Sequence, residues 1–281
     1  MPENWFFINE FLAYENYACV SEIGYKDLRA GALELLENVG EEVILNASKL
    51  KYDLISQAFL QKNSAASLVL DKTPRNLLFH SYISKIYEKQ KYIYLVRNPL
   101  AVAKSMLDTW CNGKWCIDEF DLDLRLGVEA IFEGHEKYST MKNYYFVKYE
   151  DLVCDSNVEL TRLSKFVDVE VLISEKIPEI GGRLGDKVGI KKYSSISDKS
   201  AKNNQDLCTS YVRYVWAVNF YNSNKSFFEI FGYERPKNQK ISLGYIVNTL
   251  IDFIQLSKYK IFSRINVNLF LLEKNSRGKL R

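Results

Sequence analysis

No stretch of 18 consecutive apolar residues occurs anywhere in the chain, which excludes a membrane-spanning helix within these 281 residues. Cysteine is sparse and odd in number: Cys19, Cys111, Cys116, Cys154 and Cys208. Only Cys111 and Cys116 lie close together, and neither a second pair nor a neighbouring histidine completes a zinc pattern. Reduced thiols in a cytoplasmic protein, with no metal, are therefore the expectation. The start, Met1-Pro2-Glu3-Asn4-Trp5, has no basic stretch ahead of an apolar one, so no signal peptide is expected. Net charge is also scant: 38 Lys+Arg against 35 Asp+Glu leaves +3, too little to argue for nucleic acid. No Gly-x-x-x-x-Gly-Lys-(Ser/Thr) phosphate loop appears. What the chain does have is core material, with 47% hydrophobic residues and 14% aromatics against 26% charged. That balance excludes a disordered or collagen-like chain.

Residues 1 to about 66 read as helical, with apolar positions at Leu33, Leu36, Val43 and Ile44 and again at Leu50, Leu54, Ile55, Ala58 and Phe59. Three short apolar runs follow, each with a helix behind it. Ser67–Leu70 leads into Asp71-Lys72-Thr73-Pro74-Arg75, where Thr73 can cap a helix that Pro74 opens. Tyr92–Val96 leads into Arg97-Asn98-Pro99, with Asn98 as cap, Pro99 as first helical residue and an end near Trp110. Tyr145–Tyr149 leads into Glu150-Asp151-Leu152, after which Ser156 and Glu159 have capping-box spacing.

Apolar strands alternating with helices imply an α/β fold, a parallel sheet with helices on both faces. Ligands of such sheets gather at the carboxyl ends of the strands, where helix N-termini aim N–H groups at anions. Lys72, Arg75 and Arg97 stand at those ends, so an anionic ligand is expected. Residues 177–202 read as a long functional or mobile loop, and a helix is expected over about 207–219.

The last 45 residues differ in character. From Lys237 to Arg281 nine Lys/Arg face two acids, a formal +7, which leaves −4 for the remainder of a chain whose total is +3. Leu243, Ile246, Val247, Leu250 and Ile254 share one helical face. This face is expected to pack onto the preceding domain, with peripheral attachment to an anionic membrane surface as the alternative. The chain thus reads as one α/β domain over 1–236 and a basic amphipathic helical tail over 237–281.

Three segments, in order, resemble the PAPS-dependent sulfotransferases, particularly the branch that modifies saccharides and its relative that sulfates protein tyrosines. Tyr94-Leu95-Val96-Arg97-Asn98-Pro99, continued to Ser105, is similar to the family's 3′-phosphate segment. Leu70-Asp71-Lys72-Thr73-Pro74-Arg75 resembles the Lys-(Thr/Asp)-Pro turn upstream, and Val147-Lys148-Tyr149-Glu150-Asp151-Leu152 the Tyr-Glu-Asp-Leu segment downstream. Asp108-Thr109-Trp110 and Leu184-Gly185-Asp186 fall in the same order. The resemblance covers roughly residues 1–235. The family's opening strand and its Pro-Arg-Ser-Gly-Thr-Thr loop, which wraps the 5′-phosphosulfate, have no counterpart here. The resemblance therefore implies a P-loop-NTPase-like sulfotransferase fold missing its first strand and phosphate loop, in an N-terminally shortened chain.

The activity so implied is transfer of a sulfuryl group in line from PAPS to a carbohydrate hydroxyl, leaving PAP, by positioning and by neutralising developing charge. By resemblance Arg97 grips the 3′-phosphate, with Ser105 adding a hydroxyl donor. Lys72 stabilises charge at the bridging oxygen and Glu3 acts as general base. Tyr149 contacts the nucleotide or serves as a strand-end core tyrosine, and Lys202 matches a lysine of the loop that closes over the nucleotide. Arg75 is either an acceptor contact or a helix-start cation; His80 and His135, without partner patterns, read as structural. A non-catalytic descendant that binds nucleotide or glycan is the alternative function.

Overall fold

A computed structural model of the protein describes residues 34, 37–172, 207–237 and 240–257. Glu3, Lys202, the 177–202 loop and most of the N-terminal and C-terminal segments lie outside the described residues. The described chain clusters into two compact units. The first holds residues up to Tyr92 together with Thr140–Tyr145; the second holds Ile93–Ser139, Phe146–Leu172 and the residues from 207 on.

The first unit is built on helix α1, Glu41–Lys62, a short 3-10 turn, Pro74–Phe79, and helix α2, His80–Ile86. Phe79, 1% exposed, is its centre, with Leu45, Tyr52, Leu78, Ile83 and Tyr87 against it. α1 does not bury the expected apolar stripe. Val43, Leu50, Leu54 and Phe59 are exposed, and the fully buried residue of the helix is Ser48. The inward face carries polar and aromatic groups instead. Asp53 accepts from Lys49 (2.5 Å) and from the Tyr87 hydroxyl (2.6 Å), and Lys49 lies over the Tyr87 ring. Burial works to raise the Asp53 carboxyl, but the hydrogen bonds from Lys49 and Tyr87 outweigh it and hold it below the usual carboxylate range. Each partner donates to the carboxylate, whose side chain stays 36% exposed.

The expected strand over Ser67–Leu70 does not form: the segment is irregular, and Leu68 and Leu70 are exposed. The sheet of the described residues contains two strands, β1 (Tyr92–Val96) and β2 (Tyr144–Lys148). Side chains pair across it with one offset. Tyr92 stacks on Tyr144 (4.9 Å) in the first unit, and Tyr94 stacks on Phe146 (4.5 Å) in the second. A constant offset means that the strands run parallel. His80 closes the first of these stacks as a structural residue, edge-on to Tyr92 and hydrogen-bonded to the Tyr144 hydroxyl (3.1 Å).

In the second unit β1 passes into helix α3, Pro99–Trp110, with the expected boundaries and the expected cap: Asn98 Oδ1 accepts from the Leu100 N–H at 2.9 Å. A 3-10 turn, Ile117–Glu119, leads to helix α4, Asp121–Tyr138, which returns the chain to β2. Helices α5 (Tyr149–Cys154) and α6 (Ser156–Val167) follow. The expected capping box at α6 is absent; Asp155 stands at the cap position, and the Ser156 hydroxyl donates back to the Leu152 carbonyl. Helices α7 (Tyr211–Ser223) and α8 (Lys225–Ile230) complete the core, where Val96, Leu107, Ile117, Phe220, Phe227 and Phe228 are almost fully buried. His135 belongs to this core, edge-on to both Phe146 and Phe231 at 5.1 Å.

Cys111 and Cys116 are joined by a disulfide, which corrects the expectation of reduced thiols for this pair. The turn between them, with positive φ at Asn112 and Gly113, brings their Cα atoms to 6.5 Å. A last helix, α9, spans 243–257. Its docking corrects the expected face as well: Leu243, Ile246, Val247, Leu250 and Ile254 all point outward, whereas Asp252 is 1% exposed. Asp252 accepts from Arg213 Nε (2.8 Å) and Nη2 (3.0 Å) and from the Ser210 hydroxyl (2.6 Å). Arg213 also donates to the Gly113 carbonyl, and Gln255 accepts from the Trp115 N–H. A carboxylate this deep must meet its partners, and satisfying it sets the rotation of the helix.

Two outcomes test these packings. A Cβ at Gly134, in α4, would lie 2.7–2.9 Å from the ring of Tyr94, which is buried and stacked. Overpacking costs about 1–3 kcal/mol and the helix-propensity gain of alanine returns at most about 1. Gly134→Ala is therefore expected to lower Tm, and a raised Tm would contradict the close approach. Because the Asp53 pKa is depressed in the fold, its contribution is present above the unfolded-state value near 3.9 and fades as pH falls through the lower folded value. Asp53→Asn should thus lower Tm at pH 7, and the gap from wild type should close on acidification in pH-dependent thermal melts.

Candidate functional site

The sequence-predicted anion site falls at the end of β1, within the second unit. Strand and helix meet at Arg97-Asn98, with no room for a loop between Val96 and Pro99. Asn98, 2% exposed, uses its side chain for the cap, while its own N–H donates to Glu150 Oε1 at 3.0 Å. The other carboxylate oxygen, Oε2, accepts from the Tyr233 hydroxyl at 2.9 Å. Burial first, and then the neighbouring Glu150 carboxylate, push the Tyr233 phenol far above its ordinary pKa, so it remains a neutral donor at any physiological pH. Lys148 lies over the Tyr233 ring at 5.0 Å.

Arg97 stands beside this brace. Its guanidinium lies 4.5 Å from the centre of the Tyr149 ring, a cation–π contact that fixes the side chain without using up its N–H donors. Its Nε–H is buried and has no acceptor among the described residues. An unsatisfied buried donor on a cation, one residue ahead of a helix capped at Asn98, is suited to an anion with several oxygens.

Of the residues expected from sequence, Arg97 and Tyr149 are thus brought into contact. Tyr149 is not a strand residue: β2 stops at Lys148 and Tyr149 opens α5, which turns its ring toward Arg97. Ser105 lies half-buried in the second turn of α3, and its hydroxyl makes no hydrogen bond among the described residues. Lys72 belongs to the first unit, exposed in the turn before Pro74. That turn is organised by Asp71, which accepts from Tyr52 (3.1 Å), Thr73 (2.8 Å) and Asn76 (3.2 Å). Thr73 therefore spends its hydroxyl on Asp71 and makes no side-chain cap, contrary to the sequence expectation. Glu3 and Lys202 lie outside the described residues.

Glu150 and Tyr233 were not singled out by sequence. Glu150 sits inside the Tyr-Glu-Asp-Leu segment and could have been found there. Tyr233, 83 residues further on, carries no local signal.

The described residues thus form an α/β fold with a cation at the end of a parallel strand, beside a helix start. The chain belongs to the sulfotransferase family, whose model matches residues 1–172. Nodulation protein NoeE of Sinorhizobium fredii is 29% identical over 112 residues, 39% of this chain and 25% of that protein. The alignment thus spans about a quarter of the relative. The sulfotransferase domain from the Synechococcus PCC 7002 olefin synthase shares the fold, with a TM-score of 0.51 at 21% identity, covering 81% of this chain and 75% of that one. The sulfotransferase domain from the curacin biosynthetic pathway is similar at a TM-score of 0.45 and 17% identity over 81% of this chain and 78% of its own.

Glu150→Ala would leave the Asn98 N–H and the Tyr233 hydroxyl without their acceptor, at about 1–3 kcal/mol each. A loss of about 2–4 kcal/mol in denaturant unfolding is expected, with Glu150→Gln, which keeps one acceptor oxygen, losing less. Equal stability of wild type and Glu150→Ala would remove the brace from the account.

Proposed function

We propose that the protein transfers a sulfuryl group from PAPS to a hydroxyl of a carbohydrate acceptor, and that Arg97 holds the 3′-phosphate of the nucleotide. The observation that carries this reading is the buried Nε–H of Arg97 at the carboxyl end of β1, which has no acceptor among the described residues. The residues present fit the nucleotide: a guanidinium offers phosphate two parallel donors, and the Tyr149 face restrains it in place before the ligand arrives. Glu150 acts at one remove, fixing the Asn98 backbone that follows Arg97. Ser105, on α3, contributes a hydroxyl donor that no described residue claims.

When bound, PAPS supplies the activated sulfuryl group. In this reading Lys72 balances negative charge that develops at the oxygen leaving with PAP, Glu3 takes the acceptor proton, and Lys202 closes over the nucleotide. The carbohydrate acceptor rests on the likeness to the saccharide-modifying branch.

Calorimetry with PAP on the full chain tests the nucleotide site. Wild type should bind, and Arg97→Ala should weaken binding at least about 100-fold, because two hydrogen bonds to a charged group are worth roughly 3–5 kcal/mol. A folded wild type that ignores PAP, or an Arg97→Ala variant that binds equally well, would overturn the assignment. PAP binding without any transfer from PAPS to an oligosaccharide would leave a nucleotide-binding descendant.

A further inference from the structure

Helix α9 docks on the second unit with the face opposite to the one that its apolar periodicity selects. Tyr245 and Asp252 are buried, Leu256 packs on the core, and Thr249 accepts from the Tyr211 N–H at 3.0 Å. Outward stand Leu243 (80% exposed), Leu250 (60%) and Phe253 (62%), with Ile246, Val247 and Ile254 about half exposed. So many large apolar side chains on one short helix form a patch that water alone does not favour.

The charge pattern indicates what covers it. Between Arg235 and Glu273 the sequence contains a single acid, Asp252, and the fold withdraws that acid into its pair with Arg213. The outward side of α9 therefore carries no negative charge. Lys240 precedes the helix in sequence, as does Lys237, which pairs with Glu234 at 2.9 Å, and Lys258, Lys260 and Arg264 follow it. An apolar face flanked at both ends by cations complements a bilayer with anionic headgroups, into which the apolar side chains insert while the lysines reach the phosphates. A second copy of this chain fits less well, since pairing two such faces would bring like charges together with no exposed acid on either helix to offset them. The helix is too short and too polar on its docked face to cross the membrane, and no helix of the described residues does so.

We infer that the outward face of α9, centred on Leu250 and Phe253, seats the protein on an anionic membrane surface, which would bring the second unit to the bilayer. The full chain should co-sediment with vesicles of phosphatidylcholine containing roughly a third phosphatidylserine, and much less with phosphatidylcholine alone. Raising salt from about 0.1 M to about 1 M, which shortens the screening length from roughly 10 Å to 3 Å, should weaken binding. The double variant Leu250→Glu, Phe253→Glu changes exposed positions only, so it should keep the wild-type Tm while its vesicle partitioning falls at least about tenfold. Lys237→Glu with Lys240→Glu should lower binding to the anionic vesicles several-fold without altering Tm. Wild type that fails to sediment with the anionic vesicles, or a double variant that binds them as wild type does, overturns the inference. So does a dimer in sedimentation equilibrium that the double variant converts to monomer, which would make the face a contact between copies.

Discussion

One carboxylate, that of Glu150, joins three parts of the second unit that sequence keeps apart. One oxygen receives the Asn98 N–H at the end of β1, the other the hydroxyl of Tyr233 after α8, and its own backbone begins the helix that follows β2. Neither donor is charged, so this is not an ion pair whose worth depends on salt. It is two charge-assisted hydrogen bonds, shielded by the Tyr233 ring and by the core on which that ring packs. With Asn98 held through both its N–H and its side chain, the direction in which Arg97 leaves the strand is set by backbone geometry. Tyr149 then restrains the guanidinium from one side.

Much of this site can be read from the local sequence. Arg97-Asn98-Pro99 after a five-residue apolar run specifies strand, cap and helix start, because each signal acts within two or three residues: the Asn98 side chain reaches the Leu100 N–H, and Pro99 needs no hydrogen bond at that position. The likeness of these segments to the sulfotransferases was equally legible. What could not be read is Tyr233, whose role depends on a contact across 83 residues, and the position of Tyr149, one residue beyond the strand that was expected to end on it. Ser67–Leu70 shows the opposite failure. Its residues have strand propensity, yet among the described residues the run is irregular.

The two helices that periodicity placed wrongly differ in how far an acid explains them. In α9 the apolar stripe is real, yet the face that docks holds a buried, hydrogen-bonded carboxylate, Asp252, whereas Asp53 of α1 is hydrogen-bonded but stays 36% exposed. Burying an apolar side chain gains about 1.5–3 kcal/mol, while leaving a buried carboxylate unpaired costs more than that, so the partners available to one acid can decide the rotation of a helix. A hydrophobic count sees the stripe but not the arginine on another helix. Asp252 makes this plain, because Arg213 reaches it with two nitrogens, Ser210 adds a third donor, and the same Arg213 also holds the turn between Cys111 and Cys116 through the Gly113 carbonyl. The helix is docked by a polar network anchored in a turn that a disulfide closes.

These two networks use buried charge in different ways. Around Asp252 the buried acid meets three donors, from Arg213 and Ser210, and the outcome is architecture: a helix is held in one rotation, with its apolar side left outward. Around Arg97 the pairing is incomplete, since the Nε–H is buried with no acceptor among the described residues. An unmade hydrogen bond of that kind costs about 1–3 kcal/mol, and the guanidinium carrying it rests on the Tyr149 ring. In the proposed nucleotide site that cost would be returned when a phosphate supplies the acceptor, which would favour ligands that carry one. A surface arginine free to rotate would show no such preference, so in that proposal the brace at Glu150 would bear on binding although its carboxylate is committed to the protein's own donors.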